Sequence, residues 1–329
     1  MTTSTARAAA GPNIALIKYW GNRGDPVLRL AASNSISLTL DGLWTEIRVR
    51  FDETLQADSL SVNDQTATGP QLARTSAFLD IVRSRAGLQA HAAVDSQTNF
   101  PVGAGIASSA AAFAALALAA SHAAGLRLTP PELSRLARRG SGSACRSIYG
   151  GFVEWIAGPD DETSQAEPLF PPEHWELIDL VALIGEAHKP VGSTEGHALA
   201  GTSPLQDARL AHTPQRLAVC RDALRLRDFA RLAAVVELDS NMMHAVMLTS
   251  SPPLVYWQPA TLAVVDLVST LRRQGVAVCT TIDAGPSVHC LCAAADAEQV
   301  SAALSQVDGV LRVLRASPGA GARLLQAQT

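Results

Sequence analysis

Five groups of residues in this chain have the types and spacing for chemistry on phosphate. The longest runs from Asn99 to Phe113, where Pro101, Gly103 and Gly105 lead into Ala107, Ser108 and Ser109 and then an Ala/Leu-rich run to about Ala124. A glycine-rich loop that opens a helix offers unpaired N–H groups and the positive end of the helix dipole, which is what a phosphate cradle needs. A tight turn ahead of a buried helix would read the same way. Two familiar phosphate loops are excluded. No lysine occurs in the stretch, so it is not a P-loop ending in Gly-Lys-Ser/Thr. The first acid after Gly103 is Glu132, beyond the helix, whereas a dinucleotide fingerprint needs one about 20 positions on to hold the ribose.

The other four groups are shorter. Lys18 follows the apolar run Ile14 to Ile17 and precedes Tyr19 and Trp20, so its charge must find a partner, shift its pKa or leave for solvent. Gly140 to Ser147 holds Ser141, Ser143 and Arg146 on flexible backbone, either a linker or an oxyanion site. Lys189 to Gly196 sets Ser193 and Thr194 near a basic residue. Asp283 stands at a turn between two apolar runs, as turn former or as working carboxylate. Together these supply what ATP-dependent phosphoryl transfer requires: a cradle for nucleotide phosphates, cations for an acceptor and a carboxylate for its hydroxyl.

The elements that would hold these groups follow from pattern. The chain has 329 residues, 47% hydrophobic and 17% charged, enough for one large or two ordinary domains. Residues 1–11 read as a disordered lead-in. Ser33 to Leu40 and Thr45 to Phe51 alternate polar and apolar residues and predict antiparallel strands with one wet face. Gln71 to Gly87 has helical spacing, and Ala90 to Thr98 predicts a strand that delivers the chain to the glycine-rich loop. Residues 156–177 are acidic and poorly periodic, which places a domain boundary at 176/177. The second half predicts a strand from Leu177 to Ile184, helices over 202–212, 216–225, 228–247 and 257–274, a strand pair around Asp283, then a helix and an edge strand ending at Ala316. The net charge of −4 and 5% aromatic content argue against nucleic acid, and the eleven-residue apolar run Ala110 to Ala120 is too short to span a bilayer. Five cysteines without a C-x-x-C pair, and residues 1–11 without an apolar signal core, point to buried thiols in the cytoplasm.

The stretch Pro101 to Ala110 resembles the phosphate loop of the GHMP kinase superfamily. Asn13 to Gly21, Gly140 to Ser147 and Asp283 to Pro286, with Ser193 to Gly196 and Thr202 to Pro204, resemble the mevalonate diphosphate decarboxylase branch of it. The likeness runs through nearly the whole chain in order. It implies an α+β fold of two domains, a ribosomal-protein-S5-like N-terminal ATP-binding domain (1–176) and a ferredoxin-like C-terminal domain (177–329), with the site in the cleft between them. It also implies ATP-dependent phosphorylation of a tertiary 3-hydroxyl, after which phosphate and CO2 leave to give an alkene. On the matched positions, Asp283 serves as base or orienting group, Arg146 holds the substrate carboxylate, and Lys18 steadies both and the transferring phosphoryl. Gly103, Gly105, Ala107, Ser108 and Ser109 would hold the ATP phosphates, with Mg2+ on Ser108. Tyr19, Asn22, Ser141, Ser143, Ser193 and Thr194 would contact the substrate, and a homodimer is expected.

One departure bears on the substrate. The family usually has a lysine where this chain has Asn22, and one cation fewer favours mevalonate 5-phosphate over the 5-diphosphate. The alternative is that Arg23 or Lys189 replaces the missing charge. Ser287 also stands where asparagine commonly follows Gly-Pro. A kinase that stops after phosphorylation is the main rival, but mevalonate 3-kinases lack the catalytic aspartate that Asp283 matches. A metabolite sensor without catalysis would not need every charged position retained.

Overall fold

The computed structural model describes residues 4–101, 106–185 and 191–326. Its first sheet is built from β1 (Ser4–Ala10), β6 (Thr45–Asp52), β7 (Ser59–Val62), β8 (Gln65–Ala67), β9 (His91–Thr98) and β16 (Arg323–Leu325), in the order β16-β1-β6-β9-β7-β8. The helices α1 (Gly69–Ala86), α2 (Ser108–Ala123) and α3 (Pro130–Gly140) cover one face. Alanine explains the closeness of that contact. Ala8 and Ala10 of β1 share a core with Ala114 and Ala117 of α2, all with essentially no exposure, so backbone approaches backbone with little side chain between.

The second sheet holds β5 (Ser35–Asp41), β10 (Phe152–Ile156), β11 (Gln165–Phe170), β12 (Leu177–Leu183), β13 (Val278–Thr281), β14 (Val288–Ala293) and β15 (Arg312–Pro318), in the order β11-β10-β5-β15-β12-β14-β13, with β2 (Asn13–Ile17) also on β5. A short ribbon pairs β3 (Asn22–Arg23) with β4 (Leu30–Ala31). The helices α4 (Ser193–Leu199), α5 (Gln206–Ala211), α6 (Thr213–Leu226) and α7 (Phe229–Leu248) lie on the cleft side of the second half, and α8 (Pro259–Arg273) and α9 (Ala297–Leu304) close its far face over Val278, Val288 and Cys290. All five cysteines are free and buried.

Four sequence readings are corrected. Residues 4–10 are a central strand between β6 and β16, not a lead-in: their alanines carry little strand signal but fit beneath α2. The alternating residues of β5 do not mark a wet face, because Ser35, Ser37 and Thr39 are all buried and hydrogen-bonded. Residues 165–170 form β11 against β10, within the stretch that read as irregular. The last long strand, β15, is interior rather than an edge: it pairs with β12 and, through Ser317 and Pro318, with β5 of the first half.

Candidate active site

A cavity of about 830 Å³ lies between the halves, and its polar end is organised on Lys18. The wholly buried strand β2 carries Lys18 into the cleft floor at 1% exposure. There its Nζ donates to Asp283 Oδ1 at 2.6 Å. Asp283 follows β13 in the turn to β14, so the pair joins two strands distant in sequence. One helix aligns both. On α7, Asp239 accepts the Lys18 backbone N–H (2.6 Å) and pairs with Arg216 of α6 (2.6 Å), while Arg209 of α5 donates to the Lys18 carbonyl at 2.8 Å. Ser240 and His244 of the same helix hold Ile282, the residue before Asp283, through its backbone.

Arg146 completes this end. Gly142–Ile148 is a 3-10 helix, where the sequence read as a loop, and it buries the guanidinium at 2% exposure. Arg146 donates to Asn13 Oδ1, Ser35 Oγ and Ser37 Oγ, at 2.6 to 3.2 Å, all neutral acceptors. The polar residues of β5 thus orient Arg146 without cancelling its charge. Burial pushes the Asp283 carboxyl up, but Lys18, His289 and Arg146 outweigh it and hold the group below the ordinary carboxylate range. Asp283 is therefore ionised at neutral pH, as a base or an acceptor for a hydroxyl proton must be.

The start of α2 also lines the cavity. The N-terminus of α2 has Ala107 as its cap in a left-handed conformation (φ 47°), with no capping side chain and no acid in the first turn. Ser109 Oγ lies 3.1 Å from Ser141 Oγ, tying the start of α2 to the 3-10 helix. Gly103 and Gly105 lie outside the described residues, as does Lys189. Ser108 lines the cavity, as do the apolar residues Ile47, Leu60, Val94, Ile106 and Leu116, which sequence reading did not place there. No group of three His, Cys, Asp or Glu residues among the described residues could hold a metal ion. The donor set fits Mg2+ of the kind carried on nucleotide phosphates, with a protein hydroxyl as added ligand.

The remaining expected residues gather on the cavity wall with one exception: Asn22 is not among the residues that line it, because it sits behind Tyr19 as the acceptor of that phenol. Tyr19, Ser141, Ser143, Ser193 and Thr194 all line it. Tyr19 stacks on His197 (centroids 4.0 Å apart), packs edge-on against Trp155 and donates its hydroxyl to Asn22 Oδ1. Gly142 is required here, since a Cβ would lie 2.6 Å from the Tyr19 ring. Arg23 turns away, donating to the carbonyls of Ala31, Ala157 and Pro159. Two other guanidiniums, missed in the sequence because each stands alone there, face the cavity instead. Arg74 of α1 is fixed by two bonds to Gly140 O and by the Phe113 ring 4.7 Å away. Arg29 sits beside β4. Burial and then the charge of Arg29 pull Arg74 down to about 10, so it remains a cation at neutral pH.

Residues 10–166 match the family described as diphosphomevalonate decarboxylase-like N-terminal domain, and residues 179–313 match the mevalonate 5-diphosphate decarboxylase C-terminal domain. The diphosphomevalonate decarboxylase of Candida albicans is 37% identical over 300 residues, covering 86% of this chain and 83% of that protein. That of Aspergillus fumigatus is 38% identical over 330 residues, covering 94% and 81%. Mevalonate diphosphate decarboxylase from Staphylococcus aureus superposes with a TM-score of 0.94 at 38% identity over 99% of both chains. The structure described as MDDEF in complex with MVAPP, AMPPCP and magnesium gives 0.93 at 38% identity, over 99% of this chain and all of that one. The class is therefore ATP-dependent enzymes of the two-domain, GHMP kinase-type α+β fold. Within it, this chain belongs to the diphosphomevalonate decarboxylase family and is a carboxy-lyase. No helix among its described residues is long and apolar enough to cross a membrane.

Proposed function

We propose that the protein converts mevalonate 5-diphosphate to isopentenyl diphosphate, with one ATP consumed and one CO2 released. The observation that carries this reading is the 2.6 Å pair of Lys18 and Asp283 with the buried guanidinium of Arg146, which has no acid partner among the described residues. Asp283 accepts the proton of the 3-hydroxyl as that oxygen attacks the phosphoryl group. Lys18 holds the carboxylate in line and offsets negative charge gathering on the transferring group. Arg146 receives the substrate carboxylate and keeps it ionised, so that the C–CO2 bonding pair can form the alkene as phosphate leaves the tertiary carbon with the C–O pair. ATP, with Mg2+ on its phosphate oxygens, supplies the phosphoryl group that makes the 3-oxygen a leaving group. Ser108, Ser109 and the uncapped start of α2 would hold its phosphates.

The diphosphate replaces the monophosphate suggested by Asn22. The family matches name the diphosphate, and the structure described as bound to MVAPP, AMPPCP and magnesium is the same fold at 38% identity. The presence of Arg29 and Arg74 on the cavity wall also removes the argument from a missing cation. The test is ATP-dependent alkene formation from the two phosphorylated mevalonates in parallel. A kcat/KM at least tenfold higher for the diphosphate supports the reading, and a preference for the monophosphate refutes it. Consumption of ATP without CO2 would make the protein a kinase.

A further inference from the structure

Arg29 has three features that a surface arginine does not need. Its backbone adopts φ 50°, a left-handed conformation unfavourable to a long side chain. It lines the cavity next to Arg74, and neither guanidinium lies within salt-bridge distance of a carboxylate among the described residues. Its only hydrogen bond among those residues runs from Nε to Arg139 O (3.1 Å), which orients the guanidinium and leaves its two terminal amino groups for the cavity. Two partly desolvated like charges without an acid are costly unless an anion completes them.

The ribbon explains why this arginine is beside position 22. Asn22 pairs with Ala31 and Arg23 with Leu30, so the chain doubles back and brings residue 29 to the ribbon that carries Asn22. Tyr19 connects the two: its hydroxyl donates to Asn22, and the charge of Arg29 is the largest cationic influence on that phenol, with both residues on the wall of the same cavity. We propose that Arg29 supplies, from the return strand of the β3–β4 ribbon, the cation absent at Asn22, and that with Arg74 it binds the terminal phosphate of the substrate's diphosphate. The planar amino pair suits a tetrahedral phosphate in a way that one ammonium does not. Asn22 then has a different task, accepting from Tyr19 rather than contacting the anion. This assignment rests on the diphosphate reading above and adds to it the residue that selects for the second phosphate.

The test is Arg29→Asn, chosen because asparagine tolerates the left-handed conformation and so leaves the ribbon intact. The KM for mevalonate 5-diphosphate and the inhibition constant of mevalonate 5-phosphate against it are measured for the wild type, Arg29→Asn and the double variant Asn22→Lys/Arg29→Asn. Tm is recorded for each. The assignment predicts a KM raised at least tenfold in Arg29→Asn with kcat within threefold. The monophosphate inhibition constant should change less than threefold, and the added lysine should recover most of the lost affinity. An unchanged KM for the diphosphate, or equal weakening of both ligands, overturns it. Wild-type protein that does not turn over the diphosphate overturns the diphosphate reading on which this assignment rests, and so is distinguished from a failure of Arg29 alone.

Discussion

Asp239 is absent from the reacting centre, yet the structure makes it the residue on which the centre's alignment depends. It is fully buried, accepts the backbone N–H of Lys18 on one oxygen and pairs with Arg216 on the other, both at 2.6 Å. Its charge also favours Arg209, a second buried guanidinium that the charge of Arg216 opposes. Asp239→Asn keeps the shape and removes the charge. Breaking a buried ion pair from one side costs about 3–5 kcal/mol, because the remaining charge is stranded. With an unfolding entropy of about 2.1 cal/mol/K per residue over 329 residues, that corresponds to a Tm lowered by about 4–7 °C. The amide leaves one acceptor oxygen for two donors, the Lys18 N–H and the Arg216 guanidinium, so one of these bonds is lost and the Lys18–Asp283 pair should loosen. A misplacement of an ångström at a reacting centre costs on the order of a hundredfold, and kcat should fall about ten- to hundredfold at a temperature where the variant is folded. Calorimetry and steady-state kinetics on the same preparation separate the two effects. A lowered Tm with wild-type kcat would show that Asp239 does not position Lys18, and an unchanged Tm would refute the energetic argument.

Other consequences are simpler to check. Burial holds His244 down at about 4, so the folded protein keeps it neutral while the unfolded chain titrates near pH 6.5. Its contribution is fully present above pH 6.5 and is lost as pH falls towards 4, a loss of about 3 kcal/mol at most. His244→Gln, which retains a donor for Ile282 O, should flatten the fall of Tm between those pH values, and an identical profile in both proteins would contradict this. Gly142→Ala would drive a methyl into the Tyr19 ring, costing about 1–3 kcal/mol of stability. KM for the substrate should rise as Tyr19 moves, and a variant with unchanged Tm and KM would contradict the contact.

The reacting residues were legible in the sequence because they break strong patterns. Lys18 ends an apolar strand, Asp283 interrupts two, and Arg146 is the one charged residue in a run of small ones from Gly140 to Ser147. The residues that hold them were not. Asp239, Arg209 and Arg216 sit on helices whose exposed faces carry many charges, and nothing local distinguishes a buried charge from a solvated one. Ser35 and Ser37 read as a wet face because polarity at period two reports pairing of chemistry, not contact with water; here the partner is Arg146. Arg29 and Arg74 are isolated in sequence and meet only when α1 and the β3–β4 ribbon close on one cavity. The place of β15 between β5 and β12 was equally hidden, since a strand's pattern does not name its neighbours.

The most direct test of the mechanism is CO2 release by Asp283→Asn, measured with 1-14C-labelled mevalonate 5-diphosphate, ATP and Mg2+ beside the wild type, together with calorimetric titration of a non-hydrolysable ATP analogue. Loss of the carboxylate should abolish CO2 release, by at least a thousandfold, while the analogue's Kd stays within threefold. CO2 release within tenfold of wild type would contradict the central role of Asp283, and so would failure of the folded variant to bind the analogue while turnover persists.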